Sequence, residues 1–139
     1  MPPYCVHWKI PTIDQKGKCD IAYHFVIDPA GNIWQGAEVD GYKRGHAEGH
    51  FDDIGVLILG DFERNSLTSG PNVLNNAQKN AMKSLSKWLC YRYNLLPSGA
   101  NSPITTHRAV DSGTVCPGKN AAPWIEQDLK AYILEWREG

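Results

Sequence analysis

The chain has 139 residues, 42% of them apolar and 21% charged, with a net charge of −1 at pH 7. That length supports one domain with its own core, and that composition excludes a disordered chain. Basic and acidic residues are interspersed, which argues against a nucleic-acid face, and no apolar run approaches the roughly 20 residues of a membrane-spanning helix. The opening Met1-Pro2-Pro3-Tyr4-Cys5-Val6 lacks a basic region followed by a long apolar stretch, so no signal peptide is expected in this chain.

In chain order, Tyr4 to Lys9 alternates, with Tyr4, Val6 and Trp8 on one side and Cys5, His7 and Lys9 on the other, the pattern of a strand. Pro11 to Lys18 reads as a connecting loop. Ile21 to Asp28 is apolar on both faces and reads as a central strand. Within it, Tyr23 and His24 point to opposite faces. Asp28-Pro29-Ala30-Gly31-Asn32 is a turn signal, and Ile33-Trp34-Gln35 the return strand of a hairpin. Val39 to Asp53 reads as an irregular loop and Ile54 to Leu59 as a buried strand. Phe62 to Leu74 reads as loop.

Asn75 to Tyr93 places Ala77, Ala81, Met82, Leu85, Trp88 and Leu89 at helical spacing, with Lys79, Lys83 and Ser86 outside and Asn75 or Asn76 as cap. Pro97 to Pro103 is loop, and Ile104 to His107 a short strand. Pro123 suits a first helical turn; Ile125, Leu129, Tyr132, Ile133 and Trp136 form the buried stripe of a last helix. The order β, β-hairpin, β, α, β, α predicts an α/β fold, a mixed central sheet flanked by helices, in one domain over residues 1–139.

His107 and Cys116 lie nine residues apart, with Pro117-Gly118 directly after the Cys. They look like two arms of a zinc site that His7 could complete. Taken alone, a His is more often a packed or surface residue and an unpaired buried Cys a small hydrophobe. Two imidazoles and one thiolate leave a fourth tetrahedral position for water, the layout of a catalytic rather than a structural zinc. The chain has no C-x-x-C pair. His46-Ala47-Glu48-Gly49-His50 is not a metalloprotease helix: the Glu is misplaced, and Gly45 and Gly49 oppose the helix. If Cys116 is a ligand, three cysteines remain; Cys5 and Cys19 could pair, or all three stay free thiols.

Asp20-Ile21-Ala22-Tyr23-His24-Phe25-Val26-Ile27-Asp28, with Gly31, Ile33 and Gly36, resembles the zinc-dependent N-acetylmuramoyl-L-alanine amidases of the phage-lysozyme and peptidoglycan-recognition-protein type. So do Gly45-His46-Ala47, Ile54-Gly55-Val56, Gly60-Asp61-Phe62, Gln78, His107-Arg108 and Cys116-Pro117-Gly118. The resemblance implies one Zn²⁺ held by His7, His107 and Cys116, with Tyr23 and Thr114 as catalytic residues and His46 in the substrate groove. It also implies that His24, on the face opposite Tyr23, is structural. A local hydrogen bond in a loop is an equal reading of His46.

The reaction implied is hydrolysis of the amide between the lactyl group of N-acetylmuramic acid and L-alanine, with peptidoglycan or its muropeptides as partner. Zinc brings the pKa of a bound water to about 7, and the Tyr23 and Thr114 hydroxyls would stabilise the oxyanion. A monomer acting on the cell wall, as an antibacterial endolysin or a remodelling enzyme, is the expectation; a non-catalytic peptidoglycan-binding module is the alternative. The family's usual Arg after the hairpin Gly is Ala37 here, and its Asn before the Ile-Gly strand is replaced within Phe51-Asp52-Asp53. Cys116 argues against the branch that has an Asp as third ligand.

Overall fold

The computed structural model describes residues 23–37, 39, 53–64, 72–95 and 103–138. The expected strand over Tyr4–Lys9, the loop Pro11–Lys18 and most of the loop before Asp53 lie outside them. The chain divides into two compact units, Met1–Val26 with Ile33–Leu57, and Ile27–Asn32 with Ile58–Gly139. Strands β1 (Phe25–Ile27), β2 (Ile33–Gln35) and β3 (Val56–Ile58) form a sheet in the order β2-β1-β3. The apolar run through β1 thus marks the central strand, as its lack of a polar face predicts. β1 and β2 make the expected hairpin. β3 runs parallel to β1, because its bonds advance along both strands together: the His24 and Phe25 N–H groups donate to Gly55 O, and the Leu59 N–H to Ile27 O. The sheet is therefore mixed.

In the first unit, Phe25, Val26, Ala37 and Val39 are buried, while Ile33 and Trp34 on β2 are exposed. The hairpin pairing continues past β1, with the Gly36 N–H on His24 O (2.7 Å) and the Ala37 N–H on Tyr23 O (2.9 Å). Ala37, where the family's arginine would stand, is a buried rung of this ladder. His24 is 1% exposed, and its Nδ1 accepts the Gly55 N–H at 3.0 Å. An acceptor Nδ1 carries no proton, so a neutral His24 bears its hydrogen on Nε2. This agrees with a structural His24.

In the second unit, the turn after β1 is held by Asp28, whose carboxylate takes the Asn32 N–H (2.8 Å) and Nδ2 (3.0 Å). Gly31 sits at φ +86°, and a Cβ there would lie 2.8 Å from Ala77 O, so both the conformation and the helix above it require glycine. Helix α1 (Asn76–Arg92) starts where the sequence predicts, at an Asn75 cap whose side chain takes the Gln78 N–H. Gln78 answers to the Asn75 N–H, closing a capping box. Asn75 Nδ2 also donates to Pro29 O (2.8 Å), and Gln78 Nε2 to Leu59 O (2.9 Å). The helix start is thereby bolted to the hairpin turn and to the end of β3.

The buried face of α1 is Gln78, Ala81, Met82, Leu85, Ser86, Leu89 and Cys90. Three expectations fail here, the first at Ala77, which is exposed. Ser86 is buried, and Trp88 is 49% exposed, stacked edge-on against Tyr93. At 100° per residue, Ser86 falls inside the arc set by Met82 and Cys90, and Trp88 just outside it beside Ala77. The last helix begins as a π turn, Trp124–Leu129, and continues as α3, Lys130–Glu138, packed on α1. Ile125, Leu129 and Ile133 form its buried stripe; Tyr132 and Trp136 are only half-buried. Lys83 and Lys87 of α1 lie over the Tyr132 ring at 4.9 and 4.8 Å, and Lys79 over Trp124 at 5.8 Å. Lys79 and Lys83, expected simply to face water, thus join Lys87 in covering aromatic surface with their cations. Among the described residues no helix is long and apolar enough to cross a membrane.

Candidate metal and active site

His107 does not end a strand, as its β-branched approach suggests. Thr106 is extended (φ −116°, ψ 158°), and His107 opens a single helical turn, α2 (His107–Val110). Thr106 O accepts the Ala109 N–H, so the chain bends into the turn at that residue. The segment then closes on itself. The Asp111 N–H donates to His107 O (2.9 Å), and the Asp111 carboxylate takes the Gly113 N–H (2.9 Å), a side-chain turn for which Asp suits. Thr114 Oγ1 takes the Cys116 N–H (3.2 Å), and Cys116 O takes the Arg108 N–H (2.8 Å). That last bond sets the residue after His107 against Cys116.

The Pro117-Gly118 that follows is explained by close approach. Gly118 has φ +105°, and a Cβ there would fall 2.6 Å from the Phe62 carbonyl carbon. Lys119 N–H on Glu63 Oε2 and Asn120 N–H on Phe62 O, both 2.8 Å, clamp this loop to the one after β3. The motif glycine is thus a packing requirement of the loop that carries Cys116.

The His107 side chain is 19% exposed, with Nε2 3.6 Å from Asp111 Oδ2 and Nδ1 fully buried. At that distance Asp111 is a charged neighbour rather than a hydrogen-bond acceptor. Cys116 is half-buried, and burial pushes its thiol pKa up. Without a cation the thiol therefore keeps its proton; a divalent metal would take the thiolate and reverse that preference. Imidazole nitrogen and thiolate sulfur are zinc donors, so this pair fits the metal that the sequence suggests. Among the described residues no three His, Cys, Asp or Glu side chains gather as a metal set. The expected third ligand, His7, lies outside them, as does His46. Tyr23 is half-buried in the first unit, and Thr114 shares the closed turn of the second.

One group escapes sequence reasoning altogether. Glu126, in the π turn, accepts Thr106 Oγ1 (3.0 Å) and Arg108 Nε (2.8 Å) on one oxygen and Arg108 Nη2 (3.2 Å) on the other. Arg108's hydrogen bonds hold the Glu126 carboxyl below its ordinary range, and the same contact strengthens the proton on Arg108. Arg108 does stand beside His107 in the motif, but no local signal points from there to a glutamate 18 residues on.

A family model described as Amidase_2, N-acetylmuramoyl-L-alanine amidase, matches residues 5–119. Among solved structures, the N-acetylmuramoyl-L-alanine amidase LysC from Clostridium intestinale URNW is 26% identical, with a TM-score of 0.62, over 86% of this chain and 69% of that one. The endolysine N-acetylmuramoyl-L-alanine amidase LysCS from the same organism is 25% identical, TM-score 0.61, over 86% and 68%. Human PGRP-IBETAC, in complex with glycosamyl muramyl pentapeptide, is similar in fold, with 24% identity and a TM-score of 0.55 over 83% and 63%. No curated protein sequence matches the chain. The family model spans both the hairpin and the loop of Cys116, and these structures share the fold: the chain belongs to the N-acetylmuramoyl-L-alanine amidase family.

Proposed function

We propose that this protein hydrolyses the amide joining the lactyl group of N-acetylmuramic acid to L-alanine in peptidoglycan, with a zinc ion held by His7, His107 and Cys116. The observation that supports the reading is the backbone hydrogen bond from Arg108 N–H to Cys116 O, which closes the segment that carries His107 and Cys116 in an amidase-family chain. The likeness to two clostridial amidases, one an endolysine, supports the substrate. When bound, zinc supplies Lewis-acid polarisation and an activated water.

The chain's own groups do the rest. Cys116 would give up its thiol proton to serve as ligand. Thr114 Oγ1 accepts the Cys116 N–H and so keeps its own proton to donate. That proton, with the Tyr23 phenol, is offered to the carbonyl oxygen as negative charge develops there. His46 contacts the substrate.

Digestion of purified peptidoglycan tests this. Stem peptides with a free L-alanine amino end should appear while the glycan strands stay intact. Shortened sugars or cut cross-links would overturn the bond assignment. Binding without release would favour a recognition module instead.

A further inference from the structure

We propose that Glu126 is a positioning residue for the metal site, a latch that fixes His107 and Cys116 in their ligating geometry. Its one carboxylate grips the residues on both sides of His107, Thr106 before it and Arg108 after it. Arg108 in turn holds Cys116 O with its backbone N–H. A single side chain on the last helix thereby constrains the backbone of both donors. Bidentate Arg–carboxylate contacts fix orientation as well as position, because two parallel bonds leave no free rotation.

The setting supports the role. α2 is only four residues long and has no side-chain cap of its own, since the Thr106 hydroxyl is committed to Glu126. A turn this short does not hold itself. Glu126 rises from a π turn whose neighbours Ile125 and Leu129 are buried, so its root is rigid. Such wide turns are rare and concentrate at functional sites. Groups that orient metal ligands typically change metal affinity or activity by about 10–100-fold when lost.

The inference rests on the zinc reading above, and the test separates the two. The zinc-loaded protein is mixed with a chromogenic chelator and the rate of zinc release is followed, alongside thermal unfolding. Glu126→Gln keeps the shape but loses the charge and one acceptor; it should release zinc about 10–100-fold faster than the parent. Arg108→Lys keeps a charge but loses the two-point grip, and should fall between them. Asn75→Ala, which removes the α1 cap far from the turn in sequence, supplies a variant destabilised for a different reason; it should hold zinc as the parent does. With cobalt in place of zinc, the thiolate-to-metal absorption band should shift in Glu126→Gln and not in Asn75→Ala. If Glu126→Gln releases zinc no faster than Asn75→Ala and leaves the cobalt band unmoved, the latch is wrong while the zinc reading stands. If the parent protein takes up no zinc, the zinc reading itself falls, and the latch with it.

Discussion

His24 and His107 are the same residue in two settings. At His24 the ring is sealed, 1% exposed, and its Nδ1 is spent on the Gly55 N–H that ties β1 to β3. At His107 the ring keeps some exposure, sits on a short turn built by side-chain and loop hydrogen bonds, and has a carboxylate at 3.6 Å, with the cysteine loop closed against the backbone of the next residue. The first histidine satisfies a backbone that the sheet leaves open. The second is displayed by backbone that other groups have satisfied already. The partner of the ring nitrogen, a backbone N–H at His24 and a carboxylate neighbour at His107, is what distinguishes the scaffold histidine from the proposed ligand.

The sharpest way to break that contrast is at Cys116. Cys116→Ala removes one of three proposed ligands; zinc content should drop to near zero and activity to background together, since two ligands hold the ion too weakly. Elemental analysis of purified protein with muropeptide release reads both. A variant that keeps a full zinc ion would remove Cys116 from the ligand set. Next in size, Tyr23→Phe should keep zinc and fold but lower turnover by about 10²–10³, the usual cost of one oxyanion donor, with KM nearly unchanged. Full activity in that variant would leave the phenol without a role. On the scaffold side, His24→Ala should retain zinc and lose stability by about 1–3 kcal/mol, because the Gly55 N–H is stranded. A stable, zinc-loaded, inactive His24→Ala would reverse the assignment of the two histidines.

Much of this is legible in the sequence. The two-faced apolar run of β1, the Asp28–Asn32 turn and the Asn75 cap are local signals, and each gave its element. What sequence misread was geometry at the margins. Thr105 and Thr106 favour a strand by type, yet the Thr106 hydroxyl is drawn to Glu126 and the chain turns helical at His107. Trp88 reads as core by hydrophobicity, yet sits a few tens of degrees beyond the buried arc. The motif residues His107, Thr114 and Cys116 were visible as a spacing, but the bond that joins them runs through the Arg108 backbone, which carries no side-chain signature. Glu126 was invisible because its partners are far away in sequence.

The smallest effect is the pH dependence of the carboxylate contact that supports the His107 turn. The stability contributed at His24 comes from a backbone N–H and a ring nitrogen, whereas the His107 turn leans on an ionised carboxylate. Arg108's hydrogen bonds hold the Glu126 carboxyl below its ordinary range, aided by Thr106. A carboxyl depressed on folding stabilises the native state above its unfolded pKa, and that share vanishes as pH falls through the folded value. Glu126 therefore supports the turn at neutral pH and stops doing so in acid. Thermal unfolding of zinc-free parent and Glu126→Gln checks this without interference from ligand protonation. The two should unfold at similar temperatures in strong acid, and the parent should draw ahead as pH rises toward about 4, the gap levelling off above the range in which carboxyls ordinarily ionise. The gap should be modest, because both side chains are partly exposed and water screens the pair. Added salt should narrow it further. A gap that is constant across pH would mean that the contact acts through shape alone, and that charge at Glu126 contributes nothing to holding His107.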